Sequence, residues 1–369
     1  MEDLITLKKA LLFVLFAAGT LFAQPKEPAY LAQLPEYEAF VRTWMRENDV
    51  PGLTIGFSKD DYTWVKAFGV ADVENATPMR IDASYRLASV QKSMTAVAVL
   101  QLAEEGKLDL DADIRTYVPY YPAKPHRITA RQLLSHLGGV PHYVNRDVEQ
   151  HIKEHKSTRD AVAIFAGFDL IAEPGTRYSY SSYGYNLLGA AIEAASGQSY
   201  GDYMRDHVWR PAGMLDTRMD DPLELIPHRV RGYRPADGAL RNSEFIDISS
   251  RFAAGGTRST VPDLLRFMRA LNNGTLLSEA SRTLMYTQAR TKAGAPVPYA
   301  LGWQIVPFEN RGSIVVNDGG QQETRTNIIH DPATRFSMAL AMNLEADIYG
   351  PVIERLWTIV QGRPLVRTR

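Results

Sequence analysis

The chain has 369 residues, 45% of them hydrophobic and 22% charged, with a formal net charge of −1. That length and composition suit a globular enzyme and leave no basic surplus for nucleic acid or an anionic membrane surface. There is no cysteine, which excludes disulfides, a thiol nucleophile, a lipid-modified N-terminal Cys and a Cys-ligated metal.

Lys8 and Lys9 precede the apolar run Ala10 to Ala23, and Gln24-Pro25-Lys26 follows. A cationic end, a short apolar stretch and a small residue before a polar break describe a secretory signal peptide. The run is about 14 residues, against the roughly 20 that a membrane span needs. Residues 1–23 are therefore expected to be removed after Ala23, leaving no stable membrane insertion. The mature chain, 24–369, is expected as a single domain, periplasmic or secreted.

A helix is predicted near Tyr37 to Asn48. The strand-like runs Leu53 to Phe57 and Tyr62 to Phe68 flank the polar turn Ser58-Lys59-Asp60-Asp61, as in a hairpin. From Ser89 to Glu105 apolar residues recur at helical spacing, and Gly106 stops the pattern. Residues 107–260 carry mostly helical signals broken by Pro and Gly. Strand signals return at Leu301 to Val306, Ser313 to Val316, Thr324 to His330 and Phe336 to Asn343, with Pro307 ending the first. Asp347 is placed to cap a last helix running to Gln361. Strands at both ends and helices between them predict an α/β (α+β) fold. Its antiparallel sheet is assembled from both ends of the chain and flanked by helices, with a helical lobe inserted at roughly 107–260. Clefts between such lobes commonly hold ligands.

Four short patterns could carry chemistry. Gly197-Gln198-Ser199-Tyr200-Gly201 matches G-x-S-x-G, but a nucleophile elbow needs a strand before its Ser. Here the preceding Tyr183 to Ser196 has helical spacing, so Gly197 reads as a helix end and Ser199 as the N-cap of the next helix, with Asp202 three residues on. His151-Ile152-Lys153-Glu154-His155 matches H-x-x-E-H of some zinc peptidases. Its surroundings are polar and no third ligand is visible, so it reads as a solvated helix face. Ser89-Val90-Gln91-Lys92 matches S-x-x-K. One turn of helix brings Lys92 onto the face of Ser89, where a Lys of lowered pKa can activate the hydroxyl. The helix start adds N–H groups that favour an oxyanion. These residues alone leave nucleophile and plain N-cap equally open. The fourth pattern is Tyr180-Ser181-Ser182, which by itself says nothing.

In sequence around these residues the chain resembles the serine β-lactamase and penicillin-binding protein superfamily, in the branch of class C β-lactamases and their esterase and peptidase relatives. The segment Leu87-Ala88-Ser89-Val90-Gln91-Lys92-Ser93-Met94-Thr95-Ala96 resembles the first motif and its helix. Ile128-Thr129-Ala130-Arg131-Gln132-Leu133-Leu134-Ser135-His136-Leu137-Gly138-Gly139-Val140 is similar to the "LLTHTSGL" turn. Pro174-Gly175-Thr176-Arg177-Tyr178-Ser179-Tyr180-Ser181-Ser182-Tyr183-Gly184-Tyr185 is similar to "PGxxFxYSNxGY". Ala254-Gly255-Gly256 with Asp263-Leu264, and Leu301-Gly302-Trp303, resemble further segments, so the match spans about 50–345.

The resemblance implies a β-lactamase/transpeptidase-like fold, needing no cofactor or metal. Ser89 would be the nucleophile and Lys92 and Tyr180 would exchange its proton; a phenol beside a cation can ionise more easily, which suits that role. Ser182 and Asn317-Asp318-Gly319-Gly320 would bind substrate, with the Gly320 and Ser89 N–H groups as oxyanion donors. Two departures stand out. Ser182 occupies the place of the usual Asn. Asn317 and Asp318 stand where the third motif has a cation and a hydroxyl, which disfavours anionic lactams. The expected partner is a small-molecule or peptide-like substrate, with no nucleic acid; the oligomeric state is open. The function implied is an exported serine hydrolase forming an acyl-enzyme on esters, peptide-like amides or β-lactams. The alternatives are a non-turnover penicillin-binding or sensor-like protein of the same fold and a zinc peptidase using His151 and His155.

Overall fold

A computed structural model describes residues 28–143, 152–308 and 312–365. The sequence's hairpin forms as β1 (Gly52–Lys59) and β2 (Tyr62–Asp72), closed by Asp60-Asp61 with Asp60 in the left-handed region that Asp tolerates. Short strands follow: β3 (Thr77–Pro78), β4 (Tyr85–Arg86), β5 (Arg218–Met219), β6 (Tyr233–Ala236), β7 (Ala239–Asn242) and β8 (Thr257–Ser259). The late strands are β9 (Gln304–Pro307), β10 (Ser313–Gln321), β11 (Thr324–Asp331) and β12 (Phe336–Met342). They complete a seven-stranded sheet of order β3-β2-β1-β12-β11-β10-β9, antiparallel throughout. Strands from both ends of the chain thus meet at the β1–β12 pair, as expected. The strand β12 is buried along its whole length because helices cover both faces.

The helices are α1 (Leu34–Glu47), α2 (Gln91–Glu104), α3 (Ala130–Leu134), α4 (Thr158–Ala166), α5 (Ser182–Ser196), α6 (Tyr200–Tyr203), α7 (Val261–Asn272), α8 (Glu279–Tyr286) and α9 (Gly350–Gln361). Alternate residues of β1 sort the layers: Leu53, Ile55 and Phe57 join Tyr37 and Trp44 of α1 and Leu356 and Trp357 of α9 in one core. On the other face Gly56 leaves room for Leu265 of α7. There α2, α5 and α7 pack in a second core. Helix α2 is buried on nearly every side, which makes it the axis between sheet and helical lobe.

Several expectations change. Helix α1 begins at Leu34, earlier than predicted. Leu301 and Trp303 lie in a turn, and the strand starts only at Gln304. Strand β10 runs through Asn317–Gln321 instead of ending at Val316, because β11 pairs with it to the end. Asp347 does not cap α9; Tyr349 holds that position with no side-chain bond. Gly197 is left-handed and Ser199 accepts from the Asp202 N–H, so the G-x-S-x-G pattern is a pair of helix caps. His151 lies outside the described residues, and Ile152–Lys156 is not helical, which overturns the solvated-helix reading there.

Candidate active site

The turn Ala88–Val90 leads into α2 and carries Ser89. From Ala83 to Leu100 Ser89 alone is not buried. Its turn is pinned from both sides. The Leu87 N–H donates to Thr257 O at 2.9 Å, and Leu87 O accepts from Thr326 Oγ1 of β11 at 2.7 Å. Ala88 has φ +47°, a left-handed conformation that costs a non-glycine residue roughly 1–2 kcal/mol and clusters at functional sites.

Ser89 Oγ accepts from Lys92 Nζ at 2.9 Å and from the Tyr180 hydroxyl at 2.8 Å. No side-chain cap bond forms at the start of α2, so Ser89 is held by these two groups rather than serving as an N-cap. Lys92 also donates to Ala254 O at 3.0 Å, which brings the Ala254-Gly255-Gly256 segment to the site. Burial, and secondarily the Arg251 guanidinium, bring its ammonium down to about 7, against a weaker opposing pull from Asp318. A neutral Lys92 is thus accessible near neutral pH. Tyr180 behaves otherwise than the sequence suggested. Burial raises its phenol above the usual range, and the Ser89 hydrogen bond offsets this only in part. The phenol therefore stays protonated and donates.

Tyr180 sits just ahead of α5, whose N-cap is Ser181: the Ser181 hydroxyl accepts from the Gly184 N–H at 3.0 Å and donates to Pro141 O at 2.8 Å. Ser182 is buried, and its N–H donates to His142 Nδ1 at 3.2 Å. Among the described residues strand β9 pairs with β10 only over Ser313–Val316, and no other strand pairs with that edge of β10 from Asn317 onward. Gly319 packs there against Leu87 O and Ala88, and Gly320 is exposed. Asn317 is not at the surface. It is 4% exposed, accepts from the Tyr299 hydroxyl at 3.2 Å and donates to Gly302 O at 2.7 Å. Its amide ties β10 to the Tyr299–Gly302 turn, with one N–H and one oxygen lone pair engaged there. Asp318 is exposed on the same edge.

Sequence reasoning missed two residues beside this group. Arg251 is buried, donates to Gln321 Oε1 at 3.1 Å and to Gln322 Oε1 at 3.2 Å, and lies 5.2 Å from the Tyr143 ring. His136 packs against Tyr180 at 4.3 Å. Its "LLTHTSGL"-like turn was visible, but the turn gave it no role. Among the described residues no cluster of three or more His or acidic side chains could hold a metal ion.

The sequence profile of the beta-lactamase family matches residues 37–351. The chain belongs to the beta-lactamase family. Among curated family relatives, the mitochondrial serine beta-lactamase-like protein LACTB of Homo sapiens is 29% identical over 350 residues, covering 70% of this chain and 63% of its own. The chain thus spans under two thirds of that relative's length. The octameric penicillin-binding protein homologue of Pyrococcus abyssi superposes with TM-score 0.77 at 25% identity, over 90% of this chain and 78% of its own. The D-amino acid amidase of Ochrobactrum anthropi SV3 does so with TM-score 0.77 at 23% identity, over 89% and 99%. The fold is that of penicillin-binding-protein-like serine hydrolases.

Proposed function

We propose that the chain is a serine hydrolase that forms an acyl-enzyme on Ser89, with Lys92 as base and Tyr180 as proton donor. The observation that carries this is the convergence of Lys92 Nζ and the Tyr180 hydroxyl on Ser89 Oγ, at 2.9 and 2.8 Å. Neutral Lys92 takes the Ser89 proton as Oγ bonds to the substrate carbonyl carbon. The oxyanion that forms is received by the backbone N–H groups of Ser89 and Gly320 across the gap between turn and strand edge. As the carbon–leaving-group bond breaks, the Tyr180 phenol gives its proton to the departing atom and recovers one from the Lys92 ammonium. Water then attacks the ester carbonyl. Its proton passes to the same pair, and Ser89 leaves with a proton.

The substrate we propose is an ester or a small peptide-like amide rather than an anionic lactam. Asn317 brings no cation to the open edge of β10, and Asp318 adds a carboxylate there. An extended substrate adds along that strand edge in the proposed reading. A panel of esters, D-amino-acid amides and lactams, read by turnover and by the mass of a Ser89 adduct, tests the reading. Faster turnover of penicillins than of esters overturns the substrate choice. An adduct that never turns over favours the sensor alternative. Export through residues 1–23 is proposed as well, and N-terminal sequencing of protein from the periplasm or medium checks it; a protein still beginning at Met1 contradicts it.

A further inference from the structure

We propose that His136 is a positioning residue for Tyr180, holding the phenol on Ser89 by clamping the backbone on both sides of it. This rests on the reading of Ser89 and Tyr180 above. The carbonyl of His136 accepts from the Ser179 N–H at 2.9 Å, and its Nδ1 accepts from the Ser181 N–H at 3.1 Å. Residues 179 and 181 are thus both tied to one side chain's residue, and Tyr180 lies between them. A backbone N–H can only donate, so Nδ1 carries no proton and the ring is the neutral tautomer protonated at Nε2. Burial keeps it so, with Lys92 and His142 adding to the effect: the imidazole is held well below its usual range.

The ring itself forms a wall. Its centroid is 4.3 Å from that of Tyr180 and 4.5 Å from that of Tyr299. Tyr299 is anchored in turn, since its hydroxyl donates to Asn317 of β10. Tyr299 also lies 6.5 Å from Tyr180, so the altered third motif braces the corner between the His136 and Tyr180 rings. Its backbone supports the same conclusion. His136 follows α3 with φ +57°, a place where Gly or Asn would end a helix with less strain. A buried imidazole stands there instead, aimed at Tyr180. A displacement of about 1 Å in a reacting group can cost on the order of a hundredfold in rate, so a clamp of this kind acts on the chemical step.

The test uses two variants of the full chain. His136→Gly accepts the left-handed backbone and removes both ring and acceptor. His136→Asn restores an acceptor at the Nδ1 position and also tolerates that backbone. With an activated ester, and rates taken per folded molecule, kcat of the Gly variant is expected to fall about tenfold to a hundredfold with KM within about twofold. The Asn variant is expected within about fivefold of the native chain. A Gly variant with native kcat, or an Asn variant as slow as Gly, overturns the clamp. If the Gly variant does not fold, His136→Ala, which also lacks the ring acceptor, takes its place: native kcat overturns the clamp, and a fall of about tenfold or more that the Asn variant does not show supports it. Failure of the proposed function shows separately, as a native chain that yields no Ser89 adduct. The clamp is then read in crystals of the variants. A Tyr180 hydroxyl still 2.8 Å from Ser89 Oγ without His136 contradicts it, and a displaced one supports it.

Discussion

In the proposed mechanism Lys92 is the residue on which the chemistry turns. Its ammonium sits near 7 because burial penalises the charge and Arg251 repels it. The neutral fraction rises with pH, so acylation should rise through about pH 7 and level off above it. A pH–rate profile with an activated ester checks this. Arg251→Gln removes a positive neighbour, which raises the Lys92 value and should move the acid limb to higher pH; an unmoved limb would contradict the assigned cause. Lys92→Arg keeps a permanent cation and should lower kcat by about a hundredfold or more, the order of a lost general base. The S-x-x-K spacing put the pair on one helix face, and the ordered resemblances around it made the pair legible as a site. The direction of the Tyr180 shift was not legible. It depends on burial under His136 and Tyr299, which are distant in sequence and meet only in the fold.

At the scale of the element, β10 explains both what could be read and what could not. Asn317-Asp318-Gly319-Gly320 are turn-forming residue types, so local preference ended the strand at Val316. Pairing of Asp318 with Asn327 and Gly320 with Arg325 overrides that preference. The two glycines then differ in a measurable way. A Cβ on Gly319 would lie 2.4 Å from Leu87 O and 2.5 Å from Thr326 Oγ1, both part of the frame around Ser89. Gly319→Ala should push β10 away from the nucleophile and lower kcat by on the order of a hundredfold, the effect of losing one oxyanion donor. The three atoms nearest a Cβ on Gly320 all belong to the guanidinium of Arg325, the far end of a flexible side chain. Gly320→Ala should therefore keep kcat within about tenfold, and equal losses in the two variants would contradict the argument.

For the whole molecule, the hydrophobic pattern disclosed the sheet built from both ends of the chain, since its strands alternate or run apolar over several residues. It could not disclose how the layers are locked. Trp357 of α9 is fully buried, 5.3 Å from the Phe336 ring and 5.8 Å from Phe308. Trp357→Ala should cost about 3–5 kcal/mol in denaturant unfolding, with kcat per folded molecule unchanged. Between sheet and lobe, Asp220 is enclosed by Arg86 at 2.8 Å, Arg229 at 3.0 Å and Arg258 at 3.3 Å. Glu323 also pairs with Arg86 at 3.4 Å and with Arg258 at 3.0 Å, so removing the Asp220 charge leaves three guanidinium groups around one partly exposed carboxylate, and Asp220→Asn should destabilise by about 3 kcal/mol. Arg86 lies three residues before Ser89, so this ion cluster also anchors the segment that carries Ser89. The central claim remains the acyl-enzyme. Intact-mass spectrometry of the chain mixed with an activated ester, followed in time, tests it most directly. The account predicts a transient acyl mass that maps to Ser89 and vanishes in Ser89→Ala; full turnover by a folded Ser89→Ala chain, or an adduct on another residue, would contradict it.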